Sequence, residues 1–155
     1  GVISCGTSTI KYANHATGTQ TFAGGGSTYY ILDSTVAGTT GALNITGSNT
    51  FNTIRFSDAS NARTLRFTAG TTTTVTNWTV NGTVGKLMTI SSITAATHTL
   101  TKPSGTVASD YLSLTNSIAT GGAAWYAGAN STNVSGNTGW IFTAVPARGN
   151  FFEVF

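Results

Sequence analysis

The chain has 155 residues, a net charge of +3 and only 7% charged residues, and half of it is Thr (32), Gly (19), Ser (15) and Asn (12). Disordered chains are poor in aromatic residues and rich in charge, whereas 39% of these residues are hydrophobic and 10% are aromatic, so the composition indicates a folded chain. The basic residues are scattered, and no apolar run approaches the roughly 20 residues of a membrane span, which predicts no nucleic-acid partner and no membrane insertion.

The N-terminal region, residues 1–30, shows no clean repeat. It contains three consecutive glycines, Gly24 to Gly26, which are typical of a flexible break. We interpret this region as an N-terminal cap or assembly arm that precedes a repeating domain.

Short alternating apolar patterns follow, each bounded by Gly, Asn, Ser or Asp, as half-buried strands should be. Leu43, Leu65 and Leu87 each begin such a pattern and lie 22 residues apart. The string Phe51-x-x-Ile54-x-Phe56 recurs as Val75-x-x-Trp78-x-Val80, and TLRFTAGT is echoed by TLTKPSGT. A repeat of about 20–30 residues made of short strands indicates a solenoid, whose stacked coils share one core.

These patterns predict an all-β fold: a short parallel β-helix (β-solenoid) over residues 31–143 with terminal caps, apolar side chains inside, and Thr, Ser and Asn outside. A β-sandwich is the alternative, because regular short strands predict it as well, and antiparallel pairing would identify it. The residues predicted to be buried are Leu43, Ile45, Phe51, Ile54, Phe56, Leu65, Phe67, Val75, Trp78, Val80, Leu87, Leu100, Leu112, Leu114 and Ile141.

A Gly- and Asn-rich segment at residues 119–139 surrounds Trp125 and Tyr126. Aromatic rings among amide and hydroxyl groups suit a neutral sugar, which needs an apolar face covered and polar edges satisfied. Trp125, Tyr126, Asn130 and Asn133 are therefore candidate glycan-binding residues. The alternative is that Trp125 and Tyr126 fold back as a lid over the end of the solenoid, with Trp140 in the last core strand.

The C-terminal segment, residues 144–155, ends in four large apolar side chains within five residues: Phe151, Phe152, Val154 and Phe155. One sheet face cannot cover adjacent phenylalanines, so we expect this segment to dock partly on its own solenoid and partly on another chain. It predicts a homo-oligomer or an assembly with other proteins.

The inventory of reactive side chains is small. The four acidic residues, Asp33, Asp58, Asp110 and Glu153, are far apart in sequence, and Asp58 and Asp110 lie in turns where carboxylates accept backbone N–H bonds. His98 alternates with Thr and is predicted to point outward, and the cluster Arg55, Arg63 and Arg66 is predicted to be solvated. We therefore predict no catalytic residue, no metal site and no cofactor.

Two functions of other classes remain as alternatives. A polysaccharide-active β-helix enzyme, a lyase or glycosidase, would need two convergent carboxylates. An ice-binding solenoid would need the same Thr-x-Thr on successive coils, and the sequence shows Thr-x-Thr only sporadically.

The strings GSNTFNTIRF, TLRFTAGTTTTVTNWTVNGTVGKLMTISS, HTLTKPSGTVASDYLSLTNS and ATGGAAWYAGANSTNVSGNTGWIFT resemble a recurrent β-helix-like segment of large phage virion and tail proteins and of bacterial surface or secreted proteins. The resemblance covers residues 41–143, and its closing part is the most specific. It implies a right-handed parallel β-helix used as a rigid rod, and it carries no catalytic set.

The sequence thus predicts a non-enzymatic structural and adhesion module of a virion, tail- or capsid-associated, or of an extracellular surface assembly. Its expected location is the virion or the cell surface. Its expected partners are copies of itself, other virion or surface proteins, and a surface polysaccharide.

Overall fold

The computed structural model describes residues 6–12, 17–38 and 40–147, and these residues form a β-solenoid of about six turns. They contain short strands and no helix, which confirms the predicted fold class. The strands are β1 (Thr9–Lys11), β2 (Gln20–Ala23), β3 (Thr28–Ser34), β4 (Leu43–Thr46), β5 (Thr50–Phe56), β6 (Thr64–Phe67), β7 (Thr72–Val80), β8 (Met88–Ser92), β9 (His98–Thr101), β10 (Thr106–Ala108), β11 (Leu112–Thr115), β12 (Ser117–Thr120), β13 (Ala124–Tyr126), β14 (Thr132–Ser135) and β15 (Trp140–Ile141).

The strands form three sheets. Sheet 1 has the order β1-β3-β5-β7-β9-β12, sheet 2 the order β14-β11-β8-β6-β4-β2, and sheet 3 the order β10-β13-β15. Every pairing between these strands is parallel, and neighbours in a sheet come from successive coils. A β-sandwich requires antiparallel neighbours, so that alternative is excluded.

The predicted repeat is correct in the first coils. Leu43 is paired with Leu65 across β4 and β6, at the 22-residue spacing read from the sequence. The longer pattern also aligns across β5 and β7, where Phe51 lies opposite Val75 and Phe56 lies opposite Val80. Identical spacing of apolar residues in two coils puts their side chains in one column of the shared core.

The predicted register of Leu87 is wrong. Leu65 is paired with Ile90 rather than with Leu87, and Met88 is the buried residue at the start of β8. The preceding coil is longer, because a tight turn closed by an antiparallel bridge between Thr83 and Lys86 lies between β7 and β8. Leu87 is consequently only partly buried.

The echo between TLRFTAGT and TLTKPSGT is likewise not a structural repeat, since the first string forms β6 of sheet 2 and the second begins in β9 of sheet 1. Both strings place a strand before a Gly-containing turn. Local similarity of a strand and its turn therefore does not fix which sheet the strand joins.

The core is apolar, and Thr, Ser and Asn mostly face outward, as predicted. One sheet-2 column runs through Leu43, Leu65, Ile90 and Leu114 and ends at Asn133. The prediction for Ile141 is wrong, because its side chain is 37% exposed on the outer face of β15 and the core residue of that strand is Trp140. The other predicted core residues, Leu87 apart, are buried.

Aromatic side chains cover both ends of the core. At the N-terminal end, the ring of Phe22 packs against those of Tyr12, Tyr29 and Phe51. Strands β1 and β2, which lie within the predicted N-terminal region 1–30, pair in parallel with β3 and β4. At the C-terminal end, Trp140 packs on Trp125 with ring centroids 5.1 Å apart.

Candidate functional site

Trp125 lies inside the solenoid. Its side chain is 1% exposed, its indole N–H donates to the carbonyl of Thr120 at 2.9 Å, and its ring meets those of Trp78 and Trp140 edge to face. It occupies the inward column of sheet 3, between Val107 and Trp140. An enclosed ring offers no face to a sugar, so Trp125 is a core residue rather than a glycan-binding residue.

Tyr126 is the member of the predicted aromatic pair that reaches the surface. It follows Trp125 in β13 and therefore points to the outer face of sheet 3. In register, it lies between Ala108 of β10 and Ile141 of β15. The half-buried ring with these two exposed neighbours makes a small apolar strip, which we call the Tyr126 strip (Ala108, Tyr126 and Ile141).

Asn130 lies at the corner that follows this strip, where it is held by Asp110. Its backbone N–H donates to Oδ1 of Asp110 at 2.9 Å and its side-chain amide donates to Oδ2 at 2.7 Å. The N–H of Asp110 in turn donates to Oδ1 of Asn81, so three successive coils are joined at one corner. Asn130 is exposed, and its hydrogen bonds to Asp110 fix the corner.

Burial alone would raise the pKa of Asp110, but hydrogen bonds from Asn130 and from the backbone of Tyr111 outweigh it and lower that pKa. The carboxylate stays ionised at neutral pH and is engaged by N–H donors. This arrangement suits a structural corner, and it confirms the prediction that Asp110 is a turn residue accepting backbone hydrogen bonds.

Asn133 lies in β14 of sheet 2, whereas Tyr126 lies in β13 of sheet 3. It occupies an inward register position opposite Leu114, and its Oδ1 accepts a hydrogen bond from Asn137 at 2.9 Å. Asn137 also donates to the carbonyl of Leu114 and accepts from the N–H of Ser117. The two asparagines therefore end the apolar column with a polar lid. Asn130 thus lies at the corner between β13 and β14, and Asn133 lies within β14.

The other described carboxylates have structural partners as well. Asp33 lies 3.8 Å from Arg55, and Asp58 accepts hydrogen bonds from the N–H groups of Ser60 and Asn61, as predicted for a turn aspartate. Glu153 is outside the described residues. Among residues 6–12, 17–38 and 40–147, no group of three or more His, Cys, Asp and Glu side chains is placed to hold a metal ion.

The prediction that His98 points outward is wrong. Its side chain is 1% exposed, stacks on Phe67 at 4.8 Å and contacts Oγ of Ser92 through Nδ1 at 2.9 Å. Burial lowers the pKa of His98 to about 4, so the ring is neutral at pH 7. The sequence itself indicates this inward position, because His98 and Leu100 are two residues apart in β9 and therefore point to the same face.

The predicted solvated arginine cluster is also wrong for one member. Arg63 is buried, its guanidinium lies 4.5 Å above the ring of Phe56, and it donates to the carbonyl and hydroxyl oxygens of Ser34. A cation over an aromatic face is stabilised by the ring quadrupole, which offsets part of the desolvation cost. Arg63 therefore joins two coils from inside.

The four assembly residues predicted from the sequence, Phe151, Phe152, Val154 and Phe155, lie outside the described residues. Within the described part, the last coil exposes three apolar side chains: Val134 (54%), Ile141 (37%) and Val145 (41%). Strand β14 is paired with β11 on one side only within that part, and all four of its residues are exposed. Sequence periodicity did not point to Val134, because this strand does not alternate.

No family model matches the chain, and neither a curated protein nor a solved structure is significantly similar to it. In the described part of the chain, no helix is long and apolar enough to cross a membrane.

Proposed function

We propose that this chain is a non-enzymatic structural and adhesion module of a virion, tail- or capsid-associated, or of an extracellular surface assembly, and that it contacts a surface glycan. The parallel solenoid supports a rod-like role, because its backbone hydrogen bonds run continuously from coil to coil. The resemblance of residues 41–143 to virion and surface segments supports the location.

The observation that carries the assembly role is the last coil. Strand β14 exposes all its residues, has one strand partner within the described chain, and carries an outward Val134. An edge strand with open N–H and C=O groups is a template for pairing with another chain unless it is covered. A second copy of this chain, or a neighbouring subunit, covers this edge in our proposal.

The structural roles of the carboxylates support a non-enzymatic function. Asp58 and Asp110 accept backbone N–H bonds at corners, and Asp33 faces Arg55. A glycosidase or lyase of this fold would need two carboxyl groups directed at one substrate. These three are directed at the chain itself.

The Tyr126 strip supports the glycan contact. A tyrosine ring flanked by Ala108 and Ile141 provides an apolar face, and Asn130 at the adjoining corner provides polar groups. This combination of stacking surface and amide is the chemistry that a neutral or weakly charged sugar requires.

The assembly role is tested with Val134→Lys. Burying a valine is worth about 1.5 kcal/mol, so we expect the self-association constant to fall at least about tenfold. Light scattering after size-exclusion chromatography, over a concentration series, measures the effect. Val84→Lys is the matched control, since Val84 is 79% exposed in the turn between β7 and β8 and should change nothing.

A deletion of residues 150–155 tests the tail in the same assay. We expect association to weaken more than the free energy of unfolding of the monomer. The assembly proposal fails if the parent protein is a monomer at all concentrations, or if Val134→Lys and the deletion associate as well as the parent.

The glycan contact is tested with Tyr126→Ala on an array of bacterial surface polysaccharides. If the parent binds a polysaccharide, loss of the stacking ring should weaken that binding by about tenfold. Tyr30→Ala, a half-buried tyrosine on sheet 1, is the control. Equal binding by parent and Tyr126→Ala, or no binding by the parent, would show that the strip has another role.

A further inference from the structure

The outer face of sheet 1 carries an unbroken column of threonines, one from each of five successive coils. The register aligns Thr28 with Thr50, Thr50 with Thr74, Thr74 with Thr101, and Thr101 with Thr120. We call it the threonine column (Thr28, Thr50, Thr74, Thr101 and Thr120). Its members are exposed or half-buried, and their neighbours in the strands, such as Phe51 and Val75, face the core.

A second column runs beside it, two residues earlier in each strand. Thr72 is aligned with Thr99 and Thr99 with Ile118, while the N–H of Thr72 donates to the hydroxyl of Ser48 at 3.2 Å. Two successive coils therefore present aligned Thr-x-Thr pairs. The Thr-x-Thr pairs are confined to these two coils, whereas the single threonine column extends over five.

The alignment is not visible as a fixed period in the sequence because the coils differ in length. The members of the threonine column lie 22, 24, 27 and 19 residues apart. The insertions occur in turns, where extra residues leave the strand register intact.

The threonine column, with Thr72 and Thr99 beside it, forms a grid of regularly spaced side chains. Neighbouring strands are about 4.8 Å apart, and alternate residues along a strand are about 6.6 Å apart. Each threonine offers one hydroxyl, which donates and accepts, and one methyl group. The five aligned threonines repeat the same hydroxyl and methyl group at each coil, which suits a partner that is itself periodic at molecular spacing.

The absence of charged side chains in the two columns further restricts the kinds of partner that this face could bind. Neither column contains a charged side chain, and Lys102, which follows Thr101 in sequence, donates to the backbone carbonyl of Thr76, two residues beyond Thr74. A protein face without charge suits a periodic partner whose surface is also uncharged. The columns also contain no aromatic ring, which a polysaccharide chain would need for stacking.

From this charge-free hydroxyl and methyl grid we propose that the outer face of sheet 1 binds ice, the periodic neutral lattice whose molecules donate and accept hydrogen bonds as threonine does. The inference is independent of the proposed structural and adhesion role, because it uses a different face from β14 and the Tyr126 strip.

Thermal hysteresis and inhibition of ice recrystallisation by the whole chain test this inference. The parent should show both, and Thr74→Lys, which places a long charged side chain at the centre of the grid, should lose most of the hysteresis. Thr89→Lys is the matched control, since Thr89 is a half-buried outward threonine of sheet 2 whose register neighbour on one side is Ser113, outside the threonine column, and the variant should keep the parent's activity.

Thr74→Val removes the hydroxyl group and Thr74→Ser removes the methyl group, so the two variants measure each contribution separately. Circular dichroism establishes that each variant is folded. The inference is overturned if the folded parent changes ice growth no more than an unrelated protein of equal concentration. It is also overturned if Thr74→Lys and Thr89→Lys reduce hysteresis equally, or if the parent binds insoluble cellulose or chitin through Thr74 and leaves ice growth unchanged.

Discussion

His98 lies at an inward position of β9, between the ring of Phe67 and the hydroxyl of Ser92, and no charged side chain of the described residues hydrogen-bonds to it. A buried imidazole is favoured in its neutral form, because charging it in a low-dielectric interior is costly. The same burial that makes His98 useful for packing therefore makes the solenoid sensitive to acid.

We expect the free energy of unfolding to fall as the pH drops from 6.5 to about 4. In that window, the unfolded histidine takes up a proton and the folded one does not, so protonation favours the unfolded chain. The loss should reach about 3 kcal/mol near the lower limit and then level off. Urea unfolding at a series of pH values measures it.

His98→Gln is the control, because glutamine has no proton to gain in this range, and its stability should change much less there than that of the parent. Asp58 and Asp110, whose pKa values are lowered in the fold, add to both proteins a separate loss that grows as the pH falls through their ordinary value of 3.8. If parent and His98→Gln show the same slope between pH 6.5 and 4, His98 is not the group responsible.

At the scale of the strand and its corner, close stacking of coils makes particular glycines irreplaceable. Gly139 precedes β15 with a φ of +77°, and a Cβ at this position would strike the carbonyl oxygen of Ala119 in the preceding coil. Gly70 has nearly the same φ, +75°, but open space around the position of a Cβ. Comparing substitutions at Gly70 and Gly139 therefore separates the energetic cost of backbone strain from the cost of a clash between coils.

Gly70→Ala should cost about 1 kcal/mol of stability, the cost of a left-handed conformation for a residue with a side chain. Gly139→Ala should cost about 3 kcal/mol or more, because the backbone of one coil must also move away from the next. Thermal and urea unfolding of both variants compare the two costs. Equal losses would mean that the corner relaxes without disturbing the stacking.

Across the whole molecule, the fold is one stack in which each coil is covered by its neighbours and the two ends must be covered by other means. Phe22 with its aromatic neighbours covers one end, and Trp140 with the Asn133–Asn137 pair covers the other. These residues protect the core but not the backbone edge of β14. The assembly proposal therefore concerns an edge rather than an exposed core.

The sequence alone determined the fold class, the inward apolar columns and the register of the first coils, because alternation within a strand and equal spacing between coils are local properties of the chain. It placed Phe51 over Val75 and Leu43 over Leu65 correctly. It also identified Asp58 and Asp110 as turn residues, since an aspartate accepts hydrogen bonds from residues that follow it closely.

Only the tertiary structure decided where unequal coils align and which polar residues are enclosed. The register of β8 depended on the length of a turn, the threonine column emerged from coils of four different lengths, and the burial of Arg63 depended on Phe56 and Ser34 from other coils. Trp125 moved from the candidate site to the core for the same reason, because its column partners Val107 and Trp140 are 18 and 15 residues away in sequence. Contacts between coils join residues whose separation varies with each turn, and no local pattern records that separation.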